Sequence, residues 1–275
     1  MSDPLQRSHA GRAGDELAVT WLGHSTVLLE LDGSRLLTDP VLGARAGPLV
    51  RIAPPISEAD YEAVDAVLLS HLHGDHADGR SLRWVGRETR VIAPAGARRW
   101  LALRGLRNVQ ELSLGEWTRV GEVAISLTPA VHGGVLHRAA RVAPSGFIAT
   151  GSQTCYFAGD TDLFAGMRTL SGVVDLALLP IGGWGPRLGA GHLDPASAAT
   201  AAALIAPRVA VPIHWGTLVR AFSAQRGADR GAPARLFAEL ARRQAPQVQV
   251  HVLAPGERLA LAPGARPGRI GDARA

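Results

Sequence analysis

The apolar run Val64-Asp65-Ala66-Val67-Leu68-Leu69 passes directly into Ser70-His71-Leu72-His73-Gly74-Asp75-His76, and few folds tolerate that junction. A run of this length and composition is a buried strand, so the histidines and the aspartate emerge together at its carboxyl end, where open α/β sheets place ligands. A solvated turn needs no such concentration of imidazole. His71 and His73, two positions apart, can converge on one cation while Asp75 and His76 reach a second, and nitrogen and carboxylate donors of this kind suit zinc, manganese or iron. Such clusters mark metal or catalytic sites.

A centre of that kind needs ligands from elsewhere in the chain, and strand exits are where to look. Val123 to Pro129 predicts a strand that delivers His132 beside Gly133-Gly134, where close backbone passage is possible. Thr154 to Ala158 leads into Gly159-Asp160-Thr161-Asp162. Asp160 is the expected bridging ligand, because a carboxylate can span two cations and an imidazole cannot. Asp162 competes with it, its alternative being to cap a short helix over 163–169. Val209 to Ile213 predicts a strand that leads to His214. Earlier, Gly23-His24 marks a sharp bend, and Thr38-Asp39-Pro40 ends a strand at an acidic residue; Asp39 is either a turn former or an approach to the metals. His192 lies in a glycine-rich loop just before Asp194-Pro195, an N-cap and first-turn proline that open an alanine-rich helix. It either supports that cap or faces the pocket. His137, Arg138 and Arg141 are pocket-wall candidates, and Arg45, Arg51 and Arg187 join these arginines as candidates to hold an anionic substituent.

The flanking pattern predicts an α/β chain that opens as a β-meander: Leu17 to Trp21, Val27 to Leu31 and Arg35 to Thr38, with a hairpin at Asp32-Gly33. Residues 41–57 predict an ordered loop. Helices are expected over Arg80 to Trp84, Ala95 to Leu103, Asp194 to Ala206 and Ala232 to Arg243. Further strands are expected at Val91 to Ala93, Val109 to Leu112, Trp117 to Val120, Gly146 to Thr150, Val173 to Pro180 and, last, Val248 to Leu253. With 275 residues, 47% apolar and 19% charged, the expectation is one large domain over 17–261, with flexible ends at 1–16 and 262–275.

All 29 basic residues are arginine, so neither a Schiff-base lysine nor a phosphate-loop lysine is available. The net charge of +5 is carried by arginines scattered along the chain, which argues against a nucleic-acid partner. A single cysteine, Cys155, excludes an internal disulfide. No secretory apolar segment or membrane-length window is present, and the expected location is cytoplasmic.

The order of these signals resembles the metallo-β-lactamase superfamily. Asp39 matches its first motif, His71, His73, Asp75 and His76 the second, His132 the third, Asp160 the fourth and His214 the fifth. The resemblance implies a four-layer αβ/βα sandwich, two divalent ions (most often Zn2+, with Mn2+ or Fe2+ as alternatives), and an active site along one edge of the sheets. It also implies the ligand sets: His71, His73 and His132 for one ion, Asp75, His76 and His214 for the other, Asp160 between them, and Asp39 behind the ligands. Trp21-Leu22-Gly23-His24-Ser25-Thr26, Leu37-Thr38-Asp39-Pro40-Val41 and Pro212-Ile213-His214-Trp215-Gly216-Thr217 resemble the branch that contains N-acyl-phosphatidylethanolamine phospholipase D and ascorbate-6-phosphate lactonase-like hydrolases. His192-Leu193-Asp194-Pro195 is similar to the phospholipase, which implies an active-site role for His192 and a pocket position for His24. The implied function is a hydrolase in which two metals activate a bridging water toward a small or lipid-like ester, lactone or phosphodiester, with Asp75 and His192 as catalytic groups. A nuclease on the same site and a non-catalytic metal-binding protein are the alternatives.

Overall fold

The computed structural model describes residues 17–133, 142–184, 188–222 and 229–263. Strands β1 (Leu17–Gly23), β2 (Thr26–Leu31) and β3 (Ser34–Thr38) form the expected antiparallel meander. Asp32 at φ 46 and Gly33 at φ 76 supply the left-handed pair that a two-residue hairpin requires. Parallel pairing then takes over: β6 (Ala66–Leu68), β7 (Arg90–Pro94) and β8 (Val109–Leu112) follow β3, with α1 (Gly79–Val85) and α2 (Arg98–Ala102) as the crossovers.

The second half repeats the plan. Strands β9 (Trp117–Val120), β10 (Val123–Pro129), β11 (Ser145–Thr150) and β12 (Thr154–Phe157) are antiparallel neighbours, and β13 (Leu176–Pro180), β14 (Val209–Ile213) and β16 (Gln249–Val250) are added in parallel. With β17 (Arg258–Leu261) beside β1, the sheets read β17-β1-β2-β3-β6-β7-β8 and β16-β14-β13-β12-β11-β10-β9. Each has three antiparallel steps followed by three parallel ones, a repeat with no counterpart in the residues.

Alternation along the strands explains the layering. Leu29, Leu68 and Ile92 of the first sheet meet Ile125, Phe157, Leu178 and Val211 of the second in one buried cluster. Their neighbours in sequence point outward: Val67 and Val91 pack on Leu82 and Leu101 of α1 and α2, and Ala177, Leu179 and Ala210 pack on α3 (Pro195–Ile205) and α4 (Ala232–Gln244) through Ala198, Ala202 and Phe237. The result is helix, sheet, sheet, helix, the four-layer αβ/βα sandwich. Asp194 caps α3 by accepting from Ala196 N (3.0 Å) and Ser197 N (2.8 Å), as its sequence predicts. Cys155 is buried among apolar side chains, and burial pushes its thiol pKa up.

Some expectations are corrected. The last strand is Arg258–Leu261, not Val248 to Leu253, of which only Gln249–Val250 pairs; Gly256, at φ 89, turns the chain back and donates to Trp21 O at 2.7 Å. Residues 41–57 are not merely loop: β4 (Arg45–Ala46) and β5 (Leu49–Arg51) join β15 (Leu218–Arg220) in a third sheet. Segments of two or three residues are too short to show a period. The helix expected from Ala95 begins only at Arg98, because Gly96 adopts φ 94. Over 165–170 the chain forms a 3-10 helix with Phe164 at its N-cap, so Asp162 does not cap it and instead accepts from Leu163 N. His137, Arg138, Arg141 and Arg187 lie outside the described residues.

Candidate metal centre

Parallel pairing of β3 with β6, and of β12 with β13 and β14, puts their carboxyl ends on one edge of the sandwich. β10 runs the same way as β12, being separated from it by two antiparallel steps. Asp39, the 70–76 segment, His132, Asp160 and His214 all leave strands at that edge. Backbone strain collects there too: His24, Asp39 and His214 adopt φ 53, 32 and 63, conformations that non-glycine residues take at a cost and that cluster at functional sites.

Hydrogen bonds fix which ring nitrogens carry lone pairs. His132 Nδ1 donates to Gly191 O (2.7 Å) and His214 Nδ1 to Gly182 O (2.6 Å). Asp39 accepts from Ser70 N (2.7 Å), Ser70 Oγ (2.5 Å) and His76 Nδ1 (2.8 Å). Because Ser70 has given its hydroxyl proton to Asp39, its oxygen accepts from His71 Nδ1 (2.9 Å). The Nδ1 atoms of His71, His76, His132 and His214 are thus all engaged as donors, and all four rings turn Nε2 inward. His71 Nε2 and His132 Nε2 stand 3.1 and 3.0 Å from His73 Nδ1, and His76 Nε2 stands 3.2 Å from His214 Nε2.

Donor atoms gathered this closely suit a shared cation. Two tetrahedral ligand atoms, each about 2.0–2.1 Å from a zinc ion, are about 3.3 Å apart, close to the spacings found here. Asp160 lies beside both groups: a carboxylate oxygen stands within 4.8 Å of a ring nitrogen of His132, Oδ2 is 3.2 Å from His76 Nε2 and 3.3 Å from His192 Nε2, and Oδ1 is 3.2 Å from His214 Nε2. That nitrogen is a lone pair, and Oδ1 is buried without a hydrogen-bond donor. An orphaned carboxylate oxygen facing the lone pair of His214 fits a divalent cation. The groups His71, His73, His132 and His24, Asp75, His76, His214 each bring their donor atoms within 4.8 Å of one another.

Protonation follows the same geometry. Burial and the neighbouring His76 push His71 well below the ordinary imidazole value; burial lowers His132 and, partly offset by Asp160, takes His214 down to about 3. Burial also opposes charge on His76, but Asp160 and Asp75 outweigh it and raise its pKa well above normal. Burial works against ionised Asp160, yet His214 and His76 hold its carboxyl well below the usual range. Asp75 is held low in the same way, by His76 and His24 against burial. For His192, burial is outweighed by the hydrogen bond to Asp160, which keeps its pKa above normal.

Gly159 shows how tightly the halves are joined. It sits at φ 62, and a Cβ there would stand 2.9 Å from both Ser145 O and Ser70 Cβ. Gly159→Ala is expected to lower stability by about 1–3 kcal/mol through overpacking alone, with more from the left-handed backbone, and to weaken metal binding by parting Asp160 from His71. Urea unfolding and metal titration check both effects.

Among the described residues, Asp39, His71, His73, Asp75, His76, His132, Asp160 and His214 gather at this edge with His24 and His192, whereas Arg51 and Arg45 do not join them. Arg51 donates to Leu22 O and Pro54 O and is spent on the backbone, and Arg45 is exposed on β4. His24 contacts Asp75 directly, Nε2 to Oδ2 at 3.1 Å. Two participants have no counterpart in the sequence reading: Ser70, which links Asp39 to His71, and Trp184, whose Nε1 donates to Asp75 Oδ2 at 2.9 Å. An aromatic residue among the glycines at the exit of β13 is the available signal for Trp184.

Comparison with known proteins places these features among relatives. A profile described as a beta-lactamase superfamily domain matches residues 34–215. An uncharacterized protein of Mycobacterium tuberculosis is 34% identical over 234 residues, covering 78% of the chain and 62% of that protein. N-acyl-phosphatidylethanolamine-hydrolyzing phospholipase D 1 of Caenorhabditis elegans is 32% identical over 232 residues, covering 73% and 64%. The chain thus spans less than two thirds of the length of both relatives. A metal-dependent hydrolase of Deinococcus radiodurans is 34% identical over 255 residues, covering 88% of the chain and 98% of the relative. Among solved structures, Igni18, a metallo hydrolase from Ignicoccus hospitalis, superimposes with a TM-score of 0.69 at 25% identity, covering 90% of the chain and 99% of its own.

Proposed function

The chain belongs to the metallo-β-lactamase superfamily, and from that premise we propose that it is a metal-dependent hydrolase that holds two zinc ions and cleaves an ester, lactone or phosphodiester of phospholipase D-like type. The observation that carries this reading is the orphaned Asp160 carboxylate oxygen beside two groups of side chains whose donor atoms lie within 4.8 Å of one another. His71, His73 and His132 would hold one ion and His76, His214 and Asp75 the other, with Asp160 as a further carboxylate ligand. A divalent pair supplies Lewis acidity and lowers the pKa of water toward neutrality.

The chain's own residues do the rest. Asp39 and Ser70 engage Nδ1 of His76 and of His71, so that Nε2 faces the centre in both rings. His214 and His132 are fixed by carbonyls in the same sense. His192, half-buried with Nε2 beside Asp160 and Nδ1 on Gly189 O (3.0 Å), keeps a proton near neutral pH and donates it to the leaving group. Asp75, the most accessible of the three acids, orients the attacking water. Five imidazole nitrogens and few oxygens favour zinc over harder cations. The cytoplasm is the proposed location, in keeping with a lone buried cysteine; among the described residues no helix is long and apolar enough to cross a membrane.

The test is elemental analysis coupled to a chromogenic panel of phosphodiesters, lactones and carboxylic esters. Two metal equivalents are expected, with turnover lost to a chelator and restored by zinc. Equal turnover by metal-free protein overturns the reading, and full metal with no hydrolysis across the panel favours a binding role.

A further inference from the structure

The small sheet β4-β5-β15 contributes no candidate ligand, and its placement calls for a reason. Its buried residues Ala46, Leu49 and Leu218, with Val41, form an apolar cluster against which the indole of Trp184 packs. Arg220, at the end of β15, holds its guanidinium 4.6 Å from the centre of the same ring, a cation–π contact that fixes the ring from the solvent side. The indole so held donates Nε1–H to Asp75 Oδ2 at 2.9 Å.

The other group on that oxygen is His24, and it too is braced by this sheet and its flank. His24 N donates to Thr217 Oγ1 at 2.8 Å, one residue before β15. Arg51 of β5 donates to Leu22 O at 2.5 Å, and its guanidinium lies 3.1 Å from where a Gly23 side chain would begin. Asp75 needs such bracing most. Its side chain is 13% exposed, against 2% for Asp160 and 0% for Asp39, and it sits in a turn with no strand pairing.

We propose that Trp184 is a positioning residue that fixes the Asp75 carboxylate toward His76 and His214, and that the small sheet exists to hold it. The inference rests on the reading that Asp75 is a ligand. Partners that orient a ligating group typically change metal affinity by roughly 10–100-fold when removed.

Trp184→Phe keeps the ring packed on the cluster and deletes only the N–H. Calorimetric titration of chelator-stripped protein with zinc is expected to show one of two equivalents weakened by roughly 10–100-fold and the other unchanged, with the unfolding midpoint of the metal-free protein preserved. Arg220→Gln should move the same equivalent in the same direction by less. Two equivalents bound as in the parent protein overturn the proposal, and so does an equal loss at both accompanied by a lower midpoint, which marks a general structural defect. Asp75→Asn is the control for the underlying reading: if that variant retains both equivalents, the assignment of Asp75 fails, whatever Trp184→Phe does.

Discussion

Asp160→Asn is expected to remove one metal equivalent and to cut hydrolysis by more than about 100-fold, beyond the effect of losing a group that merely orients a ligand. The carboxylate is within 3.3 Å of nitrogens on His76, His192 and His214, so it touches one candidate ligand set and the proposed proton donor, and it stands within 4.8 Å of a ring nitrogen of His132 in the other set. Asparagine keeps the volume but presents an amide N–H2 to at least one of these nitrogens and carries no charge. His192 then loses the anion that keeps its pKa above normal, and the proton it donates is held less firmly at neutral pH. Metal content by mass spectrometry and turnover at saturating zinc separate the effects. Full activity with two bound ions refutes the role given to Asp160.

Asp39→Asn is expected to act on stability as well as on metal. The side chain is fully buried and accepts three hydrogen bonds: Ser70 N on Oδ1, and Ser70 Oγ and His76 Nδ1 on Oδ2. An amide offers one acceptor atom, so in either orientation its N–H2 faces a donor. Each donor left facing it costs about 1–3 kcal/mol. The tautomers of His76 and His71 are released together, because Ser70 connects both to Asp39. Metal affinity is expected to fall roughly 10–100-fold, and urea unfolding should show the stability loss in the presence of chelator too, since the network lies wholly within the protein. Unchanged unfolding of the metal-free variant contradicts this account of Asp39.

Much of the centre was legible because its residues are local to strand exits. An apolar run followed at once by histidine or aspartate marks His71, Asp160 and His214 without knowledge of the fold. The β10 exit marks His132 in the same way. What could not be read depends on contacts distant in sequence. Asp39 stood between a turn and the metals until Ser70, 31 residues away, showed where its oxygens point. Trp184 meets Asp75 across 109 residues, and glycine-rich flanks give it no local pattern.

The fold divides along the same line. Long apolar strands and the Asp194-Pro195 helix start were evident, since cap chemistry and periodicity are local. The third sheet was not, because its strands are two or three residues long, nor was β17, whose pairing with β1 joins the two ends of the described chain. That closing strand sets Leu261 opposite Leu17, eight residues beyond the end of the predicted last strand at Leu253.

The central claim is that strand ends from both halves of the chain converge on a pair of cations. Anomalous diffraction at the zinc edge from crystals grown with zinc tests it most directly. Two peaks are expected, one among His71, His73 and His132 and one among His76, His214 and Asp75, with Asp160 between them. A single peak that Asp160 does not reach, or none within the histidine cluster, contradicts the account.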